Sequence, residues 1–190
     1  MYTGDVALKT RVTLEQFLAI PEEKPYRELM DGEVVEKPMA GRRHSVVVTE
    51  LIWLLRSHLE GNAVGMVDTE LRHLDREPEW VFLPDISVTL HSRSRTPARE
   101  ASGPEEVLPD FAIEVLSPED RPGRVTRKIT HYMDSGVTLL WVVDPDDEQV
   151  TVWERGAAPR LAAPGERLTA APVLPGFSVD LAALFARLHG

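Results

Sequence analysis

The sequence contains no cysteine, which excludes disulfides and thiolate metal sites and suits a reducing cytoplasm. It has no apolar run near the roughly 18 residues that a membrane-spanning helix needs, so no membrane partner is expected. The N-terminal stretch MYTGDVALKTRV lacks the basic-then-apolar layout of a secretory signal. Positive charge is scarce as well: 21 Lys and Arg face 31 Asp and Glu, a formal net charge of −10. Such a chain repels polyanions at long range. Binding to nucleic acid must therefore rest on basic groups gathered locally, or on a divalent metal. Two stretches could gather them, one with Arg93, Arg95 and Arg99 and one with Arg121, Arg124, Arg127 and Lys128. Both also read as ordinary solvated loops.

What is present is a globular balance. Hydrophobic residues make up 43% of 190 and charged residues 27%, enough for a single domain over residues 1–190. Thr13 with Gln16 is a capping-box pattern that opens a helix ending before Pro21. Tyr26 to Lys37 reads as two short extended runs turning at Asp31-Gly32. Val47, Leu51, Leu54, Leu55 and Leu59 recur at helical spacing, so the longest helix is expected over His44 to Glu60. Val64 to Leu74, Trp80 to Leu90 and Asp110 to Leu116 read as strands, with a long polar loop over His91 to Glu106. Val125, Ile129, Tyr132 and Met133 mark a second amphipathic helix, and VTLLWVV from Val137 suits a strand covered on both faces. Gln149 to Arg155 pairs back as a hairpin, Gly156 to Pro172 is expected to be irregular, and Asp180 caps a last short helix. This order implies an α/β fold with one mixed central sheet flanked by helices.

Two acids stand out against this pattern. Asp85 lies inside the apolar strand VFLPDISV and Glu114 inside DFAIEVLS. A carboxylate in such surroundings needs a cation or hydrogen-bond donors. Two on neighbouring strands repel each other unless a divalent cation lies between them, and hard oxygen ligands of this kind select Mg²⁺ or Mn²⁺. Each acid alone also reads as a strand-end cap or half of a buried ion pair. Lys128 falls roughly 60° from Val125 on the expected helix, at the edge of its apolar stripe. From there it reaches over the sheet toward the acids, or simply snorkels along the surface.

The blocks YRELMDGEVVE, LPDISV, FAIEVLSPED, KITHYMDSGVTLLWVVDP and LPGFSVDLAALF resemble the Uma-two family of the PD-(D/E)XK nuclease superfamily, from about Thr13 to Ala186. The resemblance implies a restriction-endonuclease-like core, with an extra N-terminal helix and hairpin, that hydrolyses DNA with Mg²⁺ or Mn²⁺. It assigns Asp85 and Glu114 to the metal, helped by the backbone carbonyl of Val115, and Lys128 to the catalytic lysine. Glu28 and His44 match further recurring positions. Glu28 would reach the site from the hairpin, and His44 would position a phosphate or cap the helix. The chain departs from the pattern twice. Leu116 stands where the superfamily places its lysine, and Arg124 stands where similar proteins carry an aspartate. An alternative is an inactive nuclease-like module that binds protein or nucleic acid. A homodimer is the simplest assembly for cutting both strands of a duplex.

Overall fold

The computed structural model describes residues 11–93 and 103–190. The capping box forms as read: Thr13 accepts from the Gln16 N–H, and the Gln16 side chain accepts from the Thr13 N–H, opening α1 (Leu14–Leu18). The hairpin β1 (Arg27–Met30) and β2 (Glu33–Glu36) turns at Asp31 and Gly32, both at positive φ, 51° and 73°. That geometry matches a two-residue turn of the primed type. The long helix α2 (Arg42–Gly61) begins two residues before the expected start and buries Val47, Leu51, Leu55 and Leu59.

Two expected strands each prove to be two. The run from Val64 divides into β3 (Gly65–Thr69) and β4 (His73–Arg76), and the run from Trp80 divides into β5 (Glu79–Phe82) and β6 (Ile86–Leu90). The first break falls at Glu70, which sits at φ 49°. The second falls at Leu83-Pro84-Asp85, where Pro84 has no N–H to give to a ladder. At both breaks the chain changes sheets. One sheet is antiparallel, ordered β2-β1-β5-β4. The expected mixed central sheet is present, and the extra N-terminal hairpin belongs to this second sheet beside it. Buried residues run on without interruption through the second break, from Trp80 to Thr89, so burial pattern alone does not show it.

The main sheet is mixed and six-stranded. Its remaining members are β7 (Phe111–Val115), β8 (Leu139–Asp144), β9 (Gln149–Glu154) and β10 (Arg160–Leu161), in the order β10-β9-β8-β7-β6-β3. Only β7 and β8 run parallel, joined by the crossover helix α3 (Pro122–Asp134). The segment expected to be irregular contains two short strands, β10 and β11 (Arg167–Thr169). β11 pairs with β12 (Ser178–Asp180), just before α4 (Leu181–Ala186), whose Ala183 N–H is capped by Asp180. Among the described residues no helix is long and apolar enough to cross a membrane.

Both faces of the main sheet are covered. Phe111, Ile113 and Val115 of β7 and Leu139, Trp141 and Val143 of β8 pack with α2, α4 and the C-terminal segment. The alternate residues Ala112, Leu140 and Val142 pack with Tyr132 of α3 and with Met30, Trp80 and Phe82 of the second sheet. His131 stacks on Trp80 with centroids 4.1 Å apart, and Phe82 meets Tyr132 edge to face at 4.7 Å. These contacts clamp α3 between the two sheets. Leu51 is fully buried on α2, whereas Trp53 on the same helix is 60% exposed. Leu51→Ala is expected to cost about 2–5 kcal/mol in urea unfolding, and Trp53→Ala no more than about 0.5 kcal/mol.

Candidate active site

The break at Leu83-Pro84-Asp85 places an acid at the seam of the two sheets. The register of β6 against β7 pairs Ile86 with Ile113, and one step further sets Asp85 across from Glu114. Both side chains line one cavity of about 40 Å³, together with Glu28, Lys37, His44, Val115, Leu116, Ser117, Asp120, Arg124 and Lys128. That volume admits a water or a single ion. Each candidate from the sequence thus reaches the same spot from a different element: β1, α2, the β5–β6 break, β7 and α3.

Asp85 is 4% exposed, and both of its oxygens are engaged. Oδ2 accepts from the Val115 N–H at 2.7 Å. Oδ1 meets Lys37 Nζ at 2.8 Å and His44 Nε2 at 3.2 Å. Burial works against its charge, but the His44 hydrogen bond and the Lys37 ammonium outweigh it and hold the carboxyl well below its usual range. His44 does not cap α2; Gly41 is the N-cap, and His44 lies inside the first turn, bonded to Asp85.

Glu114 has its own partners. Lys128 Nζ lies 2.9 Å from its carboxylate, and the Tyr132 hydroxyl donates to Oε1. Lys128 also lies 2.7 Å from Glu28 and is only 11% exposed, so its ammonium bridges two acids. Glu28 accepts in addition from the Leu83 N–H at 2.8 Å, which ties the hairpin to the seam. Burial disfavours the Lys128 charge, yet the two carboxylates raise its pKa above the ordinary lysine value. Glu114 is pushed up to about 7 by burial, with the charges of Asp85 and Glu28 adding to the effect. The crossover therefore places Lys128 on the acids; it does not snorkel.

In the sequence each acid reads as a metal ligand, a strand-end cap or half of a buried ion pair; here each holds a lysine. Lys37 and Tyr132 are the groups that reasoning missed. Tyr132 does lie on the apolar stripe, and nothing in the stripe distinguishes a buried hydroxyl with an acid beside it from plain core. Lys37 follows β2 and precedes Pro38, and only the second sheet brings it to Asp85. Of the basic stretches, Arg93 is bound to Asp110 at 2.9 Å, while Arg95 and Arg99 lie outside the described residues. Arg127 is held by Asp31, Glu33 and the Met30 carbonyl. Arg124 lines the cavity and donates to the Glu36 carbonyl.

The donor set fits a small hard cation. Three carboxylates, Glu28, Asp85 and Glu114, face two ammonium groups, and burial, with Asp85 and Glu28 adding to it, raises the Glu114 pKa. Among the described residues no group of three or more His, Asp or Glu side chains is arranged to hold a metal by itself. Mg²⁺ commonly needs only one or two carboxylates, with water completing its shell. The raised Glu114 pKa also gives a pH dependence. Between about 4.5 and 7 the folded form keeps the Glu114 proton that the unfolded chain releases, so stability falls as pH rises through that window. Glu114→Gln is expected to flatten this slope in urea titrations run in EDTA at pH 5, 6 and 7.5.

The fold is α/β, with a mixed sheet and a crossover helix that bring Asp85, Glu114 and Lys128 to one cavity. Residues 14–182 match the family model Uma2, described as "Putative restriction endonuclease", and the chain belongs to that family. The structure is similar to a crystal structure from Anabaena variabilis ATCC 29413 described as a putative nuclease belonging to DUF820. The TM-score is 0.85 at 27% identity, covering 93% of this chain and 99% of that one. No curated protein matches the sequence.

Proposed function

We propose that the chain is a metal-dependent endonuclease that hydrolyses phosphodiester bonds of DNA. The observation that supports this reading best is that Asp85 and Glu114 line one cavity, with the Lys128 ammonium on Glu114. Asp85, Glu114 and the backbone carbonyl of Val115 would hold Mg²⁺ or Mn²⁺. When bound, such an ion polarises a phosphoryl oxygen and makes a water more acidic. Lys128 orients the attacking water or meets the charge that builds on the phosphoryl group. Glu28 holds Lys128 in place, Tyr132 fixes the Glu114 carboxylate, and His44 with the Val115 N–H fixes Asp85. These partners give the reacting groups a preset geometry, which is where most of the rate of such reactions arises.

The test is cleavage of duplex, single-stranded and branched DNA, and of RNA, with Mg²⁺ or Mn²⁺ and with EDTA. Cleavage of a DNA substrate that EDTA stops is the expected result. The lysine pairing favours a second reading, an inactive nuclease-like binding module, because both acids are already engaged by ammonium groups without any metal. Calorimetric titration separates the two: the nuclease binds Mn²⁺, whereas a module with lysine-filled acids takes up none even at millimolar concentration.

A further inference from the structure

Resting on that metal-site reading, we infer that Lys37 is a built-in competitor for the metal, a tethered cation that must leave Asp85 before a divalent ion can bind. Three features carry the inference. Oδ2 of Asp85 is committed to the Val115 N–H, which leaves Oδ1 as the oxygen a cation can share, and there Lys37 Nζ sits at 2.8 Å, nearer than His44 Nε2 at 3.2 Å. The ammonium is well held there, with the Leu83 carbonyl at 3.1 Å and only 12% of the side chain exposed. It also has somewhere to go. Glu70 Oε1 lies 3.9 Å from the same nitrogen, and its side chain is 43% exposed.

The backbone of Lys37 is anchored by its N–H to the Tyr26 carbonyl at 2.8 Å and is followed by Pro38. Only the side chain has to move. A ligand shifts such an equilibrium by its preference for one state over the other. Here a divalent ion gains access to Oδ1 only in the state where the ammonium has turned toward Glu70. In the metal-free protein Lys37 keeps Asp85 charged and aligned, and part of the metal's binding free energy goes into displacing it. Lys37 is thus a positioning residue that sets metal affinity without touching substrate.

The experiment is Mn²⁺ binding to the full chain, followed by electron paramagnetic resonance and by calorimetry. Lys37→Met keeps the apolar stem and removes the charge, while His44 and the Val115 N–H still hold Asp85. Lys37→Gln keeps a donor and removes the charge. Both variants are expected to bind one Mn²⁺ about tenfold more tightly than wild type, the scale of one like charge removed from a partly buried site. Glu70→Gln, which removes the resting place, is expected to bind about threefold more weakly. Equal or weaker binding by both Lys37 variants, with wild type still binding Mn²⁺, overturns the inference and leaves the nuclease reading standing. If neither wild type nor either Lys37 variant binds Mn²⁺ at millimolar concentration, both fall together.

Discussion

Asp85→Asn is expected to lower Mg²⁺-dependent DNA cleavage by at least about 10³-fold, with the protein still folded. The asparagine is the informative variant. Its amide oxygen still accepts from the Val115 N–H, so the seam between the sheets keeps its hydrogen bond. The charge is lost, and with it the partner of Lys37 and His44. Alanine removes the acceptor as well and leaves the buried Val115 N–H without a partner, so its loss of activity would be confounded by loss of structure. Glu114→Gln is expected to behave like Asp85→Asn, because both carboxylates face the same cavity. Two measurements make the point: cleavage at saturating Mg²⁺, and Mn²⁺ binding by calorimetry. A folded Asn or Gln variant that cuts at the wild-type rate would refute the assignment of that acid.

How much of this was legible in the sequence depends on how local each signal is. The α1 cap, the Asp31-Gly32 turn, the stripe of α2 and the doubly buried β8 are written in short-range chemistry, and all form. Asp85 and Glu114 stood out because a charge in an apolar strand is an anomaly that needs no knowledge of the fold. Lys37 carried no such signal. It is an ordinary lysine at the end of an exposed hairpin until the second sheet folds it onto Asp85, a contact spanning 48 positions of sequence. The sheet itself was hidden for a related reason. An apolar run shows which residues are buried but not which neighbour buries them, so the run from Trp80 stays apolar while it leaves one sheet for another. Pro84 is a local mark of one crossing, whereas Glu70 at the other is distinguished by its backbone conformation alone, and the candidate site lies beside Pro84.

Lys128→Ala is expected to have two effects that separate under different conditions. The ammonium lies 2.7 Å from Glu28 and 2.9 Å from Glu114, in a site where all three side chains are nearly closed to solvent. Removing it leaves two carboxylates facing each other without a cation, a change that typically costs about 3–5 kcal/mol. At pH 8 in EDTA the variant should therefore unfold at markedly lower urea concentration than wild type. Lowering the pH to 6 should recover part of the loss, because Glu114, already pushed up to about 7, takes a proton there and the repulsion ends. Mg²⁺ at pH 8 should recover stability by the same logic, since a divalent ion supplies the missing positive charge. Cleavage should not follow. If Lys128 orients water or meets charge on the phosphoryl group, the Mg²⁺-saturated, refolded variant still lacks that group, and its rate stays down by roughly 10²-fold. If Lys128 only balances charge in the fold, the metal that restores stability restores the rate with it. The two curves, urea midpoint and cleavage rate against Mg²⁺ concentration, thus distinguish a lysine that acts on the substrate from one that merely neutralises its neighbours.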